Sequence, residues 1–518
     1  MLGMANNMTG RGLVLGAMVC AGLFVTGCWV DWERLPIDGL NQTLNDQVGY
    51  ISVARHLLDE GRLDSSIIYP SVLQQTFGRN SLYMPGYYAE LALTFRMFGY
   101  SALTARLPAI ASFLLACGLV YWIARRLFDR KAAIYSLALF AFGPLNLMFA
   151  FTAMAEMSVV AAGLAAFSVF LLVREKYRWW VGPVALTLPI LFRETGVALG
   201  VLMSVMLFFS TAEARKRKAA LCGLLVCVVL VALILSPAGA GRPSLWKANI
   251  LAQGSFEAVY SDAFALQHVP DSGRDWMVAV GHKFLSNLYS LIPRRGFEGG
   301  GLEALTLLFL LSGIPLGAWL WLRKRDAFAL GVTLALSLLL IADLCLYGMW
   351  LYRGIHAFLL MGPFVAILWG TTITLWTKEP GLVVRSLLVP CCFVIGVAVT
   401  VSIWRTQKDA TVRAKEDTSF LESVIGDSQQ MVVSPFWLSL DYVNEHYPQR
   451  WAFVPANCPT MQLLDAKEGI GTLIVPAQPD LEAEYRSCRT GLKFDGEEVW
   501  RGRMYWVFRG EKSEAIHN

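Results

Sequence analysis

Residues 83–110, YMPGYYAELALTFRMFGYSALTARLPAI, decide how the rest of the chain is placed relative to a membrane. Residues 84–99 within this stretch are apolar enough to resemble a membrane span, and a second apolar segment begins at residue 103. If residues 84–99 crossed the bilayer, every later cluster of Lys and Arg would move to the outside. We therefore predict that residues 84–99 form an interfacial or re-entrant helix with its apolar face among the lipid headgroups.

The composition places the chain among membrane proteins. Hydrophobic residues make up 56% of its 518 residues and charged residues only 16%, and the mean hydropathy is +0.50. Soluble globular chains contain about 45–50% apolar and about 25% charged residues. The formal net charge of +5 is small, so the distribution of the charges is more informative than their sum. The composition predicts an α-helical, polytopic membrane protein.

Apolar stretches near the roughly 20 residues needed to cross a bilayer recur along the chain and predict about 11 transmembrane helices. We place them at about 12–30, 103–123, 132–151, 156–172, 178–192, 195–210, 219–236, 302–322, 328–349, 354–376 and 382–404. The two spans that flank Arg193 are short, so a pair of half-helices that meet at this residue is an alternative.

Clusters of Lys and Arg follow alternate spans, at residues 125–131, 174–178, 215–218, 323–325 and 378–385. Short cytoplasmic loops carry an excess of these residues. The pattern predicts a multi-pass protein of the inner (plasma) membrane with a cytoplasmic N-terminus and an extracytoplasmic C-terminal part. The loops 31–102 and 237–301 are then also extracytoplasmic.

The sequence divides into a transmembrane domain, residues 1–404, and an extracytoplasmic domain, residues 405–518. Charges return after residue 404, and four short apolar runs read as buried strands. Amphipathic helical segments separate these strands, which predicts a small α/β domain. The four strands are QMVVSP (430–435), RWAFVP (450–455), GTLIVP (471–476) and MYWVFR (504–509). Cys458 and Cys488 lie in this domain, where a disulfide between them is one of two alternatives.

The segment Asn45–Leu58, NDQVGYISVARHLL, has apolar residues at helical spacing, with Asp46 in the first turn of the predicted helix. One interpretation is that an acid at this position does no more than complement the helix N-terminus. The alternative is a general base at the membrane surface, beside a lipid-borne substrate.

The segment 45–61 resembles the first external loop of the C-type (GT-C) glycosyltransferases, polytopic enzymes that use polyprenyl-phosphate sugars. In that superfamily an Asp followed four residues later by a Tyr opens a helix, as Asp46 and Tyr50 do here. The stretch 83–110 is similar to the segment that follows in the superfamily, through Pro85, Tyr88 and the run Arg106–Pro108. The sequence looks most like the lipid A aminoarabinose transferases and the protein O-mannosyltransferases, over about residues 12–210.

The resemblance implies roles for particular residues. Asp46 would be the catalytic base, and Glu156 a second catalytic acid that assists Asp46 or binds a divalent cation through its oxygens. Four arginines on the external side are further candidates to bind the phosphate of the donor, since the planar guanidinium matches phosphate oxygens; they are Arg193, Arg294, Arg295 and Arg353. Of these, Arg353 resembles an arginine that the superfamily often carries before a late span. The substrate would contact Tyr50, Tyr83, Pro85 and Tyr88.

Two departures from the superfamily pattern stand out, because Gln47 replaces a second acid and Glu156 replaces an Asp. Both weaken the inference of a metal site. Alternatives to the catalytic roles are a solvated position for Glu156 and an internal salt bridge for Arg193, with Glu194 or a loop acid.

Together these patterns predict an inverting glycosyltransferase of the cell envelope. It would transfer a sugar from a polyprenyl-phosphate donor to an extracytoplasmic glycolipid, polysaccharide or protein. Its partners would be these substrates and the lipid bilayer, and nucleic acid is not expected. The alternative is a transporter or flippase of lipid-linked sugars, or a scaffold without chemistry. A transporter predicts ionisable residues at mid-membrane, yet only Asp343 lies deep within a predicted span.

Overall fold

The computed structural model describes residues 46–64, 67–68, 84–210, 301–346 and 359–376, and parts of 274–285 and 416–425. In the C-terminal part it describes residues 431–434, 451–453, 469–477, 492–500 and 503–510, with a few single positions elsewhere. The predicted spans 12–30, 219–236 and 382–404 lie outside the described residues, as do Cys458 and Cys488.

The chain forms two compact units. The helical unit comprises residues 1–33, 83–242 and 273–406, and the sheet unit comprises residues 34–82, 243–272 and 407–518. The boundary predicted after residue 404 lies next to the boundary between the units. The sheet unit also takes in residues 34–82, which belong to the first predicted external loop.

Helices and strands are numbered along the chain. The helices are α1 (Asp46–Glu60), α2 (Pro85–Phe98), α3 (Ala102–Leu127), α4 (Arg130–Ala141), α5 (Pro144–Ala150), α6 (Glu156–Leu172), α7 (Arg178–Phe192), α8 (Val197–Ser210), α9 (Gly301–Lys324), α10 (Ala327–Leu346) and α11 (Gly362–Trp376). The strands are β1 (Ile67–Ile68), β2 (Met431–Ser434), β3 (Trp451–Phe453), β4 (Ile470–Pro476), β5 (Leu492–Trp500) and β6 (Arg503–Gly510).

The bounds of α6 and α7 coincide with the predicted spans 156–172 and 178–192. The predicted span 132–151 is instead broken into α4 and α5 at Gly143 and Pro144. Proline lacks an N–H donor and disfavours a helical residue before it, so α4 ends and α5 begins anew. The side-chain amide of Asn146 donates to the carbonyl of Phe140 at 2.8 Å and so satisfies one acceptor at the break.

The helical unit is held together by aromatic side chains and by small residues where helices pass closely. The ring of Phe167 on α6 lies 5.2 Å from that of Phe364 on α11 and 6.0 Å from that of Phe328 on α10. A Cβ atom at Gly370 on α11 would lie only 2.7 Å from the carbonyl oxygen of Ala132 on α4. Such close approach at small residues is typical of helix packing in membranes.

Among the described residues, α3 is the one helix that is long and apolar enough by itself to cross a bilayer. Shorter apolar helices occupy residues 156–172, 197–209, 327–342 and 362–376. Helix α2, of 14 residues, is about 21 Å long at 1.5 Å per residue. This is shorter than a hydrocarbon core of about 30 Å, as is α7 with its 15 residues, so length does not distinguish α2 from the predicted spans.

The sheet unit contains a six-stranded sheet in the order β1-β3-β2-β4-β6-β5. Strands β1, β3, β2 and β4 are parallel, and β6 pairs antiparallel with both β4 and β5. The four strands predicted from the sequence correspond to β2, β3, β4 and β6. Most apolar side chains of β2, β4 and β6 are buried, among them Val432, Val433, Leu473 and Val507.

Two strands were not predicted. β5, LKFDGEEVW, is polar and largely exposed, so it lacks the apolar run that marked the other four strands. β1 has two residues and comes from the first predicted loop; Ile67 pairs with Trp451 and Ile68 with Ala452 of β3. No local sequence pattern predicts the pairing of two strands that lie so far apart in the chain.

Candidate active site

Glu156 is the first residue of α6 and is only 2% exposed. A carboxylate in the first turn of a helix is stabilised by the helix dipole and by the N–H groups that lack intrahelical partners. The alternative of a solvated helix-start residue is therefore wrong. A buried carboxylate requires compensating partners.

Arg193 supplies that partner from the turn between α7 and α8. Its backbone is extended (φ −161°, ψ 142°), and its N–H still donates to the carbonyl of Pro189, which closes α7. The turn is tight, because a Cβ atom at Gly196 would lie 2.9 Å from the backbone nitrogen of Ile190. The side chain of Arg193 is 19% exposed, and its Nη1 donates to Oε1 of Glu156.

Two residues predicted to be functional are thus brought together as a buried ion pair, 37 positions apart in sequence. The internal salt bridge considered for Arg193 does form, with Glu156 as the acid. This contact does not decide whether Arg193 also binds phosphate, because a guanidinium carries five N–H donors. The pair ties the start of α6 to the end of α7.

Helix α2 packs against the end of α7 just before Arg193. Pro85 occupies the first turn of α2, and Tyr87 and Tyr88 are fully buried. At Gly86 a Cβ atom would lie 2.7 Å from the carbonyl oxygen of Leu191. Glycine at this position lets the two backbones meet, so α2 reaches the neighbourhood of the ion pair.

We expect Gly86→Ala to destabilise the protein by about 1–3 kcal/mol, because α2 or the end of α7 must shift to make room. Thermal unfolding of the purified protein, followed by tryptophan fluorescence, measures the change. Gly118→Ala is the matched control, since a Cβ there meets no described atom within 4 Å. Equal melting temperatures for the two variants would show that α2 does not approach α7 in this way.

Glu90 on α2 is a residue that the sequence analysis missed. Its carboxylate accepts a hydrogen bond from Ser158 on α6, while burial raises the pKa of the carboxyl. Burial also raises the pKa of the Tyr87 phenol well above its ordinary value, and the negative charges of Glu90 and Glu156 add to this effect. Glu90 is the one acid in residues 84–99. Burying a lone acid in an apolar helix costs free energy, so the sequence alone could have identified Glu90 as a candidate site residue.

The remaining predicted site residues belong to the sheet unit or lie outside the described part of the chain. α1 begins at Asp46 and belongs to the sheet unit; within it, Tyr50 is buried. Tyr83, Arg294, Arg295 and Arg353 lie outside the described residues, as does the side chain of Asp46. In the described part of the chain no group of three or more His, Cys, Asp or Glu side chains is placed to hold a metal ion.

Comparison with known proteins identifies the fold. ArnT from Cupriavidus metallidurans bound to undecaprenyl phosphate has a similar structure (TM-score 0.55, 13% identity), covering 96% of this chain and 98% of that one. The archaeal oligosaccharyltransferase AglB from Archaeoglobus fulgidus, in complex with an inhibitory peptide and a dolichol-phosphate, is also similar. Its TM-score is 0.53 at 13% identity, over 91% of this chain and 70% of that one.

The chain therefore has the fold of the C-type glycosyltransferases, which are integral membrane proteins, and the predicted resemblance to this superfamily is confirmed. More particularly, residues 84–236 match the model of the dolichyl-phosphate-mannose-protein mannosyltransferase family. A comparison with curated protein sequences gave no match. The matched segment runs from α2 through α8 and contains Glu90, Glu156 and Arg193.

Proposed function

We propose that the protein is a glycosyltransferase that transfers a sugar from a polyprenyl-phosphate carrier to an acceptor on the extracytoplasmic side of the membrane. The observation that carries this proposal is the buried Glu156–Arg193 pair inside the segment that matches a mannosyltransferase family. Further support comes from ArnT, which shares the fold and was determined with undecaprenyl phosphate bound.

The proposed reaction is a single displacement. A hydroxyl or amine of the acceptor attacks the anomeric carbon, and Asp46 accepts the proton of the attacking group. The bond from that carbon to the phosphate oxygen breaks, and the polyprenyl phosphate leaves with the bonding electrons. One displacement inverts the anomeric centre. The acceptor is a glycolipid, a polysaccharide or a protein.

Positive charge assists the departure of the phosphate. In this proposal the guanidinium of Arg193 binds phosphate oxygens, a geometry that arginine supports through parallel N–H donors. Glu156 orients Arg193 and so acts one step away from the substrate. The proposal also assigns further phosphate contacts to Arg294, Arg295 and Arg353, and substrate contacts to Tyr50, Tyr83, Pro85 and Tyr88.

The test is a turnover assay of the purified protein in lipid nanodiscs. A panel of polyprenyl-phosphate sugars is offered, with an envelope extract as the source of acceptors, and free polyprenyl phosphate is measured over time. We expect time-dependent release from at least one donor. Parallel reactions with EDTA test whether turnover requires a divalent cation, because carboxylates such as Glu156 also bind such ions.

A transporter gives a different result. Reconstituted into vesicles, it would carry intact lipid-linked sugar to the opposite leaflet without releasing polyprenyl phosphate. That outcome, across the whole donor panel, would contradict the proposed transferase.

A further inference from the structure

The start of α6 lacks a side-chain cap of the kind that fixes the starts of α3 and α4. Ser101 before α3 forms a capping box with Thr104, and Asp129 before α4 accepts a hydrogen bond from the N–H of Ala132. The residue before α6 is Ala155, which has no side chain that can cap the helix. Glu156, the first residue of α6, therefore begins a helix whose N-terminal turn needs another attachment.

Ser158, in the first turn of α6, provides that attachment. Its hydroxyl donates to the carboxylate of Glu90 on α2 and lies 3.3 Å from the hydroxyl of Ser112 on α3. The first turn of α6 is thus tied by side chains to two neighbouring helices. Because Ser158 follows Glu156 by two residues, this contact restrains the same turn that carries the ion pair with Arg193.

Glu90 is held in this place at a cost. Its Oε2 atom is buried and has no hydrogen-bond partner among the residues that the structure describes. A second negative charge adds to the cost, since Glu156 on α6 is also an acid and both carboxylates act on Tyr87. The cations of the neighbouring elements are Arg193 at the end of α7 and the buried Arg106 on α3. Packing of α2 alone would be served as well by an apolar side chain.

We propose that Glu90 is a positioning residue for the transfer reaction, which acts through Ser158 to hold the first turn of α6 and with it the Glu156–Arg193 pair. This inference rests on the proposed function for its catalytic consequence. Its structural part, the restraint of α6 by Glu90, stands independently and can be measured without turnover.

The kinetic test compares Glu90→Leu with Glu90→Gln in the turnover assay. Leucine keeps the bulk and loses the acceptor for Ser158, so we expect kcat to fall about 100-fold while the KM for the donor changes little. Glutamine keeps a carbonyl acceptor for Ser158, so we expect it to retain activity within about threefold of the wild type.

Thr94→Val is the matched control. Thr94 is buried one turn further along α2, and its hydroxyl donates to the backbone carbonyl of Glu90 at 2.8 Å, within the same helix. Its loss removes a buried hydroxyl without touching α6, so kcat should stay at the wild-type value. If Glu90→Leu keeps the wild-type kcat, or if Thr94→Val loses as much as Glu90→Leu, the positioning role is refuted.

Hydrogen–deuterium exchange of a peptide that covers residues 154–162 provides the second readout. The N–H of Val159 donates to the carbonyl of Ala155 at 2.8 Å, so its exchange reports on the first turn of α6. We expect faster exchange there in Glu90→Leu, and exchange at the wild-type rate in Glu90→Gln and Thr94→Val. Unchanged exchange in Glu90→Leu would overturn the proposal. Faster exchange in a protein whose wild type shows no turnover would overturn the proposed function alone.

Discussion

Asp46→Asn should reduce turnover by about a thousandfold, because a positioned general base contributes about 10²–10⁴-fold to a reaction of this kind. Asparagine has nearly the same shape as aspartate but cannot accept the proton of the attacking group. Binding of the donor should stay close to that of the wild type, since the phosphate contacts are assigned to arginines. The release of polyprenyl phosphate measures the first effect, and binding of labelled donor to nanodiscs measures the second.

Asp59→Asn is the matched control for this substitution. Asp59 lies near the other end of the same helix, α1, and its side chain is exposed. Its turnover should equal that of the wild type. If Asp46→Asn retains full turnover, the base lies elsewhere, and the role assigned to Asp46 from the superfamily resemblance is wrong.

Removal of one partner of the Glu156–Arg193 pair should have the second large effect. Arg193→Met leaves a buried carboxylate without its cation, and we expect this to destabilise the protein by about 3–5 kcal/mol. The double variant Glu156→Leu with Arg193→Met removes both charges. It should therefore recover much of the lost stability, because apolar replacements of buried ion pairs are often neutral.

Measurements of both stability and turnover distinguish a structural role of this pair from a role in the reaction. Thermal unfolding of the wild type, both single variants and the double variant gives a double-mutant cycle. In the double variant we expect recovered stability together with lost turnover, because no guanidinium remains to bind the phosphate. A double variant that is both stable and fully active would show that the pair serves the fold alone. Additive losses of stability would show that the two side chains do not interact.

The sequence predicted those parts of the fold that depend on local patterns. Long apolar runs located α6 and α7 to the residue, and short apolar runs located β2, β3, β4 and β6. The break within the predicted span 132–151 also has a local signal, Gly143–Pro144, which a prediction from the length of the apolar run does not use. Polar β5 carried no apolar pattern, and it is a strand because β6 pairs with it along its length.

The candidate site was predictable only residue by residue. The sequence singled out Glu156 and Arg193 separately, Glu156 as an acid at a span boundary and Arg193 as a cation at a tight external turn between predicted spans. That they bind each other depends on the packing of α6 against α7, which no local pattern encodes. The same holds for Glu90. Its position in an apolar helix is visible in the sequence, but its contact with Ser158 depends on how the helices pack.

The pairing of β1 with β3 has a consequence for how the protein is made. Ile67 and Trp451 are neighbours in the sheet, but about 380 residues are synthesised between them. At a translation rate of about 5–20 residues per second, the N-terminal strand waits roughly 20–80 seconds for its partner. Because α1 lies just before this strand, the helix that begins at Asp46 cannot be part of a finished sheet unit until β3 has been synthesised. A chain released before that point would therefore carry α2 to α11 without a completed sheet.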